Sequence, residues 1–135
     1  CIRHKTVGTM PLSTYGDGIK KVISLANSIA SAKNGILMID EIETSIHSKY
    51  YEDIFAFLFK ACQQFNVQLF ITTHNLEAID ALLSAQKYDN ELVANDPINV
   101  ITFRMDKISR KTFARVMSGS EVIQNREKYD FEVRI

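Results

Sequence analysis

Two kinds of hydrophobic pattern alternate along the chain. In some segments apolar residues recur at helical spacing, and in others they form short unbroken runs. Three segments place apolar residues three and four positions apart, which predicts amphipathic helices. Their apolar positions are Ile19, Val22, Ile23, Ala26, Ile29 and Ala30 in the first, Tyr51, Ile54, Phe55, Leu58, Ala61 and Cys62 in the second, and Leu76, Ile79, Leu82 and Leu83 in the third. Asp17 and Asn75 are predicted to cap the first and third helices, and Asn34-Gly35 to end the first.

Two short apolar runs lie between the predicted helices. Ile36-Leu37-Met38-Ile39 is unbroken, which is typical of a strand buried on both faces of a parallel sheet. Residues 67–72 are rich in β-branched and aromatic side chains, so they predict a second strand. Farther on, residues 98–105 and 112–117 predict a hairpin, and the weakly patterned residues 118–135 predict one short helix and a frayed end.

The order of these elements from residue 36 onward is strand–helix–strand–helix–strand, which predicts an α/β layer. We expect a mostly parallel core sheet, flanking helices and a C-terminal antiparallel hairpin at one sheet edge. Ligands of such sheets bind outside the carboxyl ends of the strands. Asp40-Glu41 and His74 lie at the carboxyl ends of two predicted strands, so we expect them at that edge.

Composition restricts the class of protein. The chain has 135 residues, 46% of them hydrophobic, and a formal net charge of +0, which fits one domain without a diffuse basic surface for nucleic acid. Its two cysteines, Cys1 and Cys62, lack metal-ligand spacing, so we expect no zinc site and a reducing cytoplasm. No apolar run approaches the roughly 20 residues that cross a bilayer, and we expect no membrane partner. Because residue 1 is not Met, we expect a piece of a longer protein or a processed product.

The acidic pair Asp40-Glu41 carries the clearest chemistry. Mg²⁺ prefers oxygen ligands and keeps most of its waters, so one carboxylate fixed at a strand end can anchor it. A second carboxylate one residue farther on can polarise a water that attacks a γ-phosphate, because phosphoryl transfer needs mainly positioning and charge stabilisation. The alternative is that the pair simply begins a solvated loop.

Two further segments have weaker signals. Residues 12–18 lead straight into the first helix and combine a serine with glycines, a pattern that can bind phosphate oxygens through backbone N–H groups, although ordinary capped loops share it. His74 at a strand end can donate a hydrogen bond to a phosphate oxygen. A partly buried histidine satisfied by the backbone is the alternative for His74.

Together these segments resemble the ABC-type ATPases, most closely the soluble, non-transporter branch with RecF-, SMC- and OLD-like heads. The segments similar to its signature loop and Walker B strand are Leu12-Ser13-Thr14-Tyr15-Gly16-Asp17-Gly18 and Ile36-Leu37-Met38-Ile39-Asp40-Glu41. Those similar to its D-loop and switch-histidine segment are Ile42-Glu43-Thr44-Ser45-Ile46-His47 and Ile71-Thr72-Thr73-His74-Asn75. The order and spacing of the four motifs also match the family.

The resemblance implies a partial P-loop fold, with ATP and Mg²⁺ as cofactors. It implies that Asp40 positions Mg²⁺ through water, that Glu41 is the general base or water-orienting group, and that His74 senses the γ-phosphate. It also implies that two heads sandwich ATP between them. At this interface it implies that Ser13 and Gly16 touch the γ-phosphate of the ATP bound to the second head. It also counts Asp17, Gly18 and Ser45 among the ATP-binding residues and places Ile46 in the D-loop near the same interface.

The sequence departs from the family pattern in two places. Thr14 and Tyr15 replace the middle of the transporter-type Leu-Ser-Gly-Gly-Gln signature, and the Walker A pattern Gly-x-x-x-x-Gly-Lys-Ser/Thr is absent from the sequence. The resemblance therefore implies that residues 1–135 are the C-terminal portion of an ABC-type ATPase domain. We expect this chain alone to bind ATP poorly, not to turn it over, and to self-associate through apolar surfaces that the Walker A half would cover.

Other interpretations remain open. One is a degenerate head that dimerises without hydrolysis, although both Asp40 and Glu41 are present; another is an unrelated α/β binding domain. No Toprim-like acidic pattern follows His74, so we expect no nuclease activity, and the motifs do not favour a transporter subunit. The basic residues around the hairpin favour a solvated sheet edge, so DNA contact through a longer parent protein has no support here. They are Lys107, Arg110, Lys111 and Arg115.

Overall fold

The computed structural model describes residues 2–4, 8–10, 16–87 and 98–129. Its first elements are two short strands, β1 (Ile2–His4) and β2 (Gly8–Met10), which pair antiparallel. The sequence pattern did not predict this pair, because strands of three residues are too short to establish an alternation of polar and apolar positions.

Three helices follow where the apolar spacing predicts them: α1 (Asp17–Ser31), α2 (Tyr51–Phe65) and α3 (Leu76–Lys87). The residues that α2 buries lie four, three and four positions apart, as an amphipathic stripe requires. They are Tyr51, Phe55, Leu58 and Cys62. At Asn66 the backbone turns left-handed with a φ of 53°, and α2 ends there. Within the described ranges, no helix has the length and apolar character needed to cross a membrane.

Two strands form the parallel part of the fold. β3 (Ile36–Ile39) and β4 (Gln68–Ile71) pair in register, with Ile36 opposite Gln68 and Ile39 opposite Ile71. The helix α2 connects them, which is the usual crossover between parallel strands. Both strands therefore end at the same edge, as the sequence predicts. The predicted mostly parallel core sheet is represented in the described residues by this pair.

In the part of the chain that the structure describes, one face of the parallel pair is covered. Leu37, Ile39, Leu69 and Ile71 pack against a core built by the three helices, in which Ile29 and Phe55 have no exposed surface. The opposite face is open, because side chains alternate along a strand and no described element lies over the second set. The apolar residues on this open face are Ile36, Met38 and Phe70, which are 57%, 76% and 47% exposed, respectively. The prediction that the strand of residues 36–39, now β3, is buried on both faces is therefore wrong for the described part of the chain.

The C-terminal hairpin is present but forms its own sheet. β5 (Asn99–Met105) and β6 (Thr112–Ser118) pair antiparallel. The carboxylate of Asp106 closes the turn by accepting hydrogen bonds from the Ile108 N–H (2.8 Å) and the Ser109 hydroxyl (3.0 Å). Among the described residues neither strand hydrogen-bonds to β3 or β4. The expected position at the edge of the parallel sheet is therefore not observed.

The last described helix, α4 (Gly119–Tyr129), fastens the hairpin to α3. Leu83, Met117 and Val122 form a second, smaller core between α3, β6 and α4. An ion pair between Arg126 and Asp80, with 2.6 Å between nitrogen and oxygen, joins α4 to α3 at its border. The hairpin thus reaches the rest of the molecule through helix contacts rather than through a continuous sheet.

Candidate functional site

The carboxyl ends of β3 and β4 bring the two sequence motifs together. Backbone hydrogen bonds continue past the strands: the Thr72 N–H donates to the Ile39 carbonyl (2.9 Å), and the Ile42 N–H donates to the Thr72 carbonyl (3.2 Å). This ladder holds the segment after β3 beside the segment after β4. Asp40 and Glu41 therefore lie next to residues 72–74, which are more than 30 positions away in sequence.

The hydroxyl of Thr72 bridges the acidic pair. Its oxygen accepts a hydrogen bond from the Glu41 N–H at 3.0 Å, and it donates a hydrogen bond to Oδ1 of Asp40. A hydroxyl can do both at once because it carries one proton and two lone pairs. The bridge fixes the orientation of the Asp40 carboxylate relative to the backbone of Glu41.

Glu41 and His74 face each other at the open edge of the site. The Glu41 Oε1 lies 4.0 Å from Nε2 of His74, and the two side chains are 55% and 84% exposed, respectively. The Thr44 hydroxyl donates a longer hydrogen bond of 3.4 Å to Oε2 of Glu41. The backbone of Glu41 is left-handed, with a φ of 47°. Such a conformation is costly for a residue with a side chain and often occurs at functional sites.

Glu43 ties the loop after β3 to the histidine. Its Oε1 accepts a hydrogen bond of 2.9 Å from the backbone N–H of His74. Burial raises the pKa of the Glu43 carboxyl, but hydrogen bonds from the N–H groups of His74 and Glu43 and from the Thr73 hydroxyl, together with attraction to the His74 ring, outweigh burial. The pKa therefore lies below its ordinary value of 4.5, and the carboxylate is charged at neutral pH.

Two buried isoleucines anchor the loop of residues 42–47. Ile42 is fully buried and Ile46 is 7% exposed, so both belong to the main core. Ile46 therefore packs into the core, and its position near an interface between two heads stays a prediction. Between the anchors Ser45 is exposed and has a left-handed backbone with a φ of 68°, which presents this part of the loop to solvent.

The start of α1 lies against the same loop. A Cβ added to Gly18 would lie 3.3 Å from the carbonyl oxygen of Ser45, so a larger residue would crowd this contact. Gly16 occupies the N-cap position, without a side-chain cap. The prediction that Asp17 caps the helix is therefore wrong; Asp17 is the first helical residue and pairs with Lys20 at 2.9 Å. Ser13 lies outside the described residues.

The chemistry of these residues fits a magnesium nucleotide. Asp40 is an exposed carboxylate at a strand end, held in one orientation by the Thr72 hydroxyl. Mg²⁺ commonly binds through one or two carboxylates and otherwise keeps water and phosphate oxygens, so a single oriented aspartate suits it. The exposure of Glu41 and His74 leaves space beside Asp40 for a ligand and an attacking water.

Thr72 and Glu43 are site residues that the sequence analysis did not select. For Thr72 a sequence signal existed, because it is a polar residue at the end of the second parallel strand. In-register pairing of Ile39 with Ile71 places it next to Asp40. Glu43 had no comparable signal, because a second acidic residue in an exposed loop is common. Its contact with His74 depends on the path of the loop between the two isoleucine anchors.

Comparisons with known proteins identify a family and two relatives to which the chain is similar. Residues 5–80 match the profile of the family described as "AAA domain, putative AbiEii toxin, Type IV TA system". A Methanocaldococcus jannaschii protein, "Uncharacterized protein MJECL11", is 41% identical over 68 residues, covering 50% of this chain and 60% of that protein. An "ATP/GTP phosphatase" of Helicobacter pylori is 31% identical over 80 residues, covering 54% of this chain and 20% of that protein.

The matched region contains the whole candidate site. Residues 5–80 extend from before α1 to the middle of α3 and so include Asp40, Glu41, Thr72 and His74. The alignments span 60% and 20% of the two relatives, so neither relative is matched over its whole length. The family match covers more than half of the 135 residues, and the chain therefore belongs to this AAA domain family of P-loop ATPases.

Proposed function

We propose that the chain is the Walker B, D-loop and switch-histidine portion of a soluble ABC-type ATPase head, in which two heads close around ATP and separate after hydrolysis. The observation that carries the proposal is the meeting of Asp40, Glu41 and His74 at the carboxyl edge of a parallel strand pair. Membership of a P-loop ATPase family and similarity to an ATP/GTP phosphatase support nucleotide hydrolysis.

Each residue has a distinct role in this proposal. Asp40 holds the hydrated Mg²⁺, which neutralises charge on the phosphates when the nucleotide is bound. Glu41 would orient the attacking water and accept its proton, and His74 would contact the γ-phosphate and sense its loss. The N-terminus of α1, at Gly16 and Gly18, and Ser45 face the ATP held by the second head.

Replacement of Glu41 tests the proposal in the protein that carries this chain together with a Walker A segment. Glu41→Gln keeps the size of the side chain but cannot take up a proton, so we expect turnover to fall by about 100-fold or more. ATP binding should persist, and size-exclusion chromatography with ATP should show a trapped dimer. Glu52→Gln, an exposed carboxylate on α2, is the matched control.

The outcomes separate the proposal from its rivals. Unchanged turnover in Glu41→Gln, or a wild-type protein without turnover, would contradict hydrolysis at this site and favour a non-catalytic dimerisation module. Residues 1–135 alone are expected to show no turnover, because the Walker A lysine and backbone supply most of the grip on the phosphates. Turnover by this chain that Glu41→Gln abolishes would show that expectation to be wrong.

A further inference from the structure

Thr72 contacts four consecutive residues, of which Ile39 ends β3 and Asp40, Glu41 and Ile42 follow it. Its N–H donates to the carbonyl of Ile39 (2.9 Å), and its carbonyl accepts from the N–H of Ile42 (3.2 Å). Its hydroxyl accepts from the N–H of Glu41 (3.0 Å) and donates to Oδ1 of Asp40. One residue of the switch-histidine segment therefore holds the entire acidic turn.

The four contacts divide into two kinds. The two backbone bonds extend the parallel ladder, and any residue other than proline at position 72 can make them. The two bonds to Asp40 and Glu41 depend on the hydroxyl, which must act as donor and acceptor at the same point. Among short side chains serine and threonine offer both functions on one oxygen, and the cysteine thiol offers them only weakly.

The contacts lie where positional error is most damaging to hydrolysis. Glu41 has a left-handed backbone, which a non-glycine residue keeps only when its surroundings enforce it. The Thr72 hydroxyl engages the N–H of this same residue and orients the neighbouring Asp40 carboxylate. Without the hydroxyl, the Glu41 N–H loses this partner and the Asp40 carboxylate is free to rotate.

We propose that Thr72 is a positioning residue that sets the Asp40 carboxylate and the Glu41 backbone in the arrangement needed for hydrolysis. The inference rests on the proposed ATPase function. Thr72 acts through Asp40 and Glu41 and does not itself touch the nucleotide. Its effect therefore falls on the rate of hydrolysis and on the use of Mg²⁺, and not on the binding of ATP by the Walker A segment.

Two conservative variants separate the effect of the Thr72 hydroxyl from the effect of its backbone hydrogen bonds. Thr72→Val keeps the β-branched shape and both backbone bonds and removes only the hydroxyl. Thr72→Ser keeps the hydroxyl and removes a methyl group. Thr112→Val makes the same change at an exposed position at the start of β6, outside the site, and is the matched control.

ATPase kinetics in the protein with its Walker A segment provide the main measurement. For Thr72→Val we expect kcat to fall by about 10- to 100-fold, since misplacement by about 1 Å can cost that much. The Mg²⁺ concentration for half-maximal rate should rise, while KM for ATP stays within about twofold. Thr72→Ser should recover most of the wild-type kcat, and Thr112→Val should match wild type.

A second measurement reports the contact itself and does not require turnover. Amide hydrogen exchange of Glu41 should be at least about tenfold faster in Thr72→Val than in wild type, because its N–H loses its acceptor. The Ile42 amide, which donates to the Thr72 backbone, should be unchanged and serves as the internal control.

The two measurements distinguish failure of this inference from failure of the proposed function. Active wild-type protein with a fully active Thr72→Val variant would overturn the role of Thr72 and leave the ATPase function intact. Equal loss in Thr72→Ser and Thr72→Val would also overturn it, since the hydroxyl would then not be the cause. Inactive wild-type protein would contradict the proposed function. In that case, unchanged hydrogen exchange of the Glu41 amide in Thr72→Val would refute the hydrogen bond between this amide and the Thr72 hydroxyl.

Discussion

At the scale of single residues, the site depends on polar side chains that join two loops. Thr72 reaches from the end of β4 to Asp40 and Glu41, and Glu43 reaches back from the loop after β3 to the N–H of His74. These reciprocal contacts join the segment of Asp40 and Glu41 to the segment of His74.

The charge of Glu43 predicts a pH dependence of stability. Its pKa is lower in the folded chain than its ordinary value of 4.5, so folding favours the ionised form. This contribution is fully present above the ordinary pKa and is lost as the pH falls through the lower, folded value. Because the carboxyl is partly exposed, we expect a small effect. Wild type and Glu43→Gln should differ in urea midpoint at pH 6 to 7 and converge toward pH 3.

Glu52→Gln serves as the control for this titration. Glu52 is exposed in the first turn of α2, and a surface substitution of this kind usually changes stability by less than about 0.5 kcal/mol. A difference between wild type and Glu43→Gln that grows as the pH falls would contradict the argument. It would mean that folding favours the protonated carboxyl.

At the scale of elements, the ends of helices set the positions of the loops. The side-chain oxygen of Asn75 accepts a hydrogen bond from the Glu77 N–H at 2.8 Å and caps α3, as the sequence predicts. The residue before it is His74. The cap therefore fixes the point at which the chain leaves the site and enters the helix. By contrast, α1 begins at Asp17, and Gly16 at its N-cap position provides no side-chain cap.

We expect removal of the Asn75 cap to lower the stability of the folded chain by a measurable amount. Asn75→Ala should lower the free energy of unfolding by about 1 kcal/mol, since the Glu77 N–H loses its acceptor. Asn75→Asp keeps an acceptor and adds a favourable negative charge at the helix start, so it should remain close to wild type. Chemical denaturation of the three proteins makes the comparison. A loss in Asn75→Asp as large as that in Asn75→Ala would show that the cap is not responsible.

At the scale of the whole molecule, the helices cover one face of the parallel strand pair, and none of the described elements covers the other. Ile36, Met38 and Phe70 form a contiguous apolar surface there, because they alternate with the buried residues and Met38 lies opposite Phe70. Apolar surfaces of this kind mark contacts with another segment or another chain. The open face therefore accounts physically for the expectation that the isolated chain self-associates.

Charged substitutions on this face test that expectation. Met38→Lys with Phe70→Lys should reduce self-association in sedimentation velocity measurements over a range of concentrations. The cost in stability should be about 1 kcal/mol or less, since both side chains are already 76% and 47% exposed, respectively. Phe57→Lys changes an aromatic of similar exposure, 44%, on α2 and should leave association unaltered. A wild-type chain that stays monomeric at every concentration would refute the prediction.

The sequence by itself determined the helices, the two parallel strands and the adjacency of Asp40, Glu41 and His74. These features follow from local periodicity and from strand ends, both of which can be read along one dimension. Tertiary structure decided the rest. The Thr72 bridge, the bond between Glu43 and His74 and the open face at Met38 each depend on packing between residues far apart in sequence. Such contacts form only after strand register and helix coverage are fixed, so the local pattern alone does not specify them.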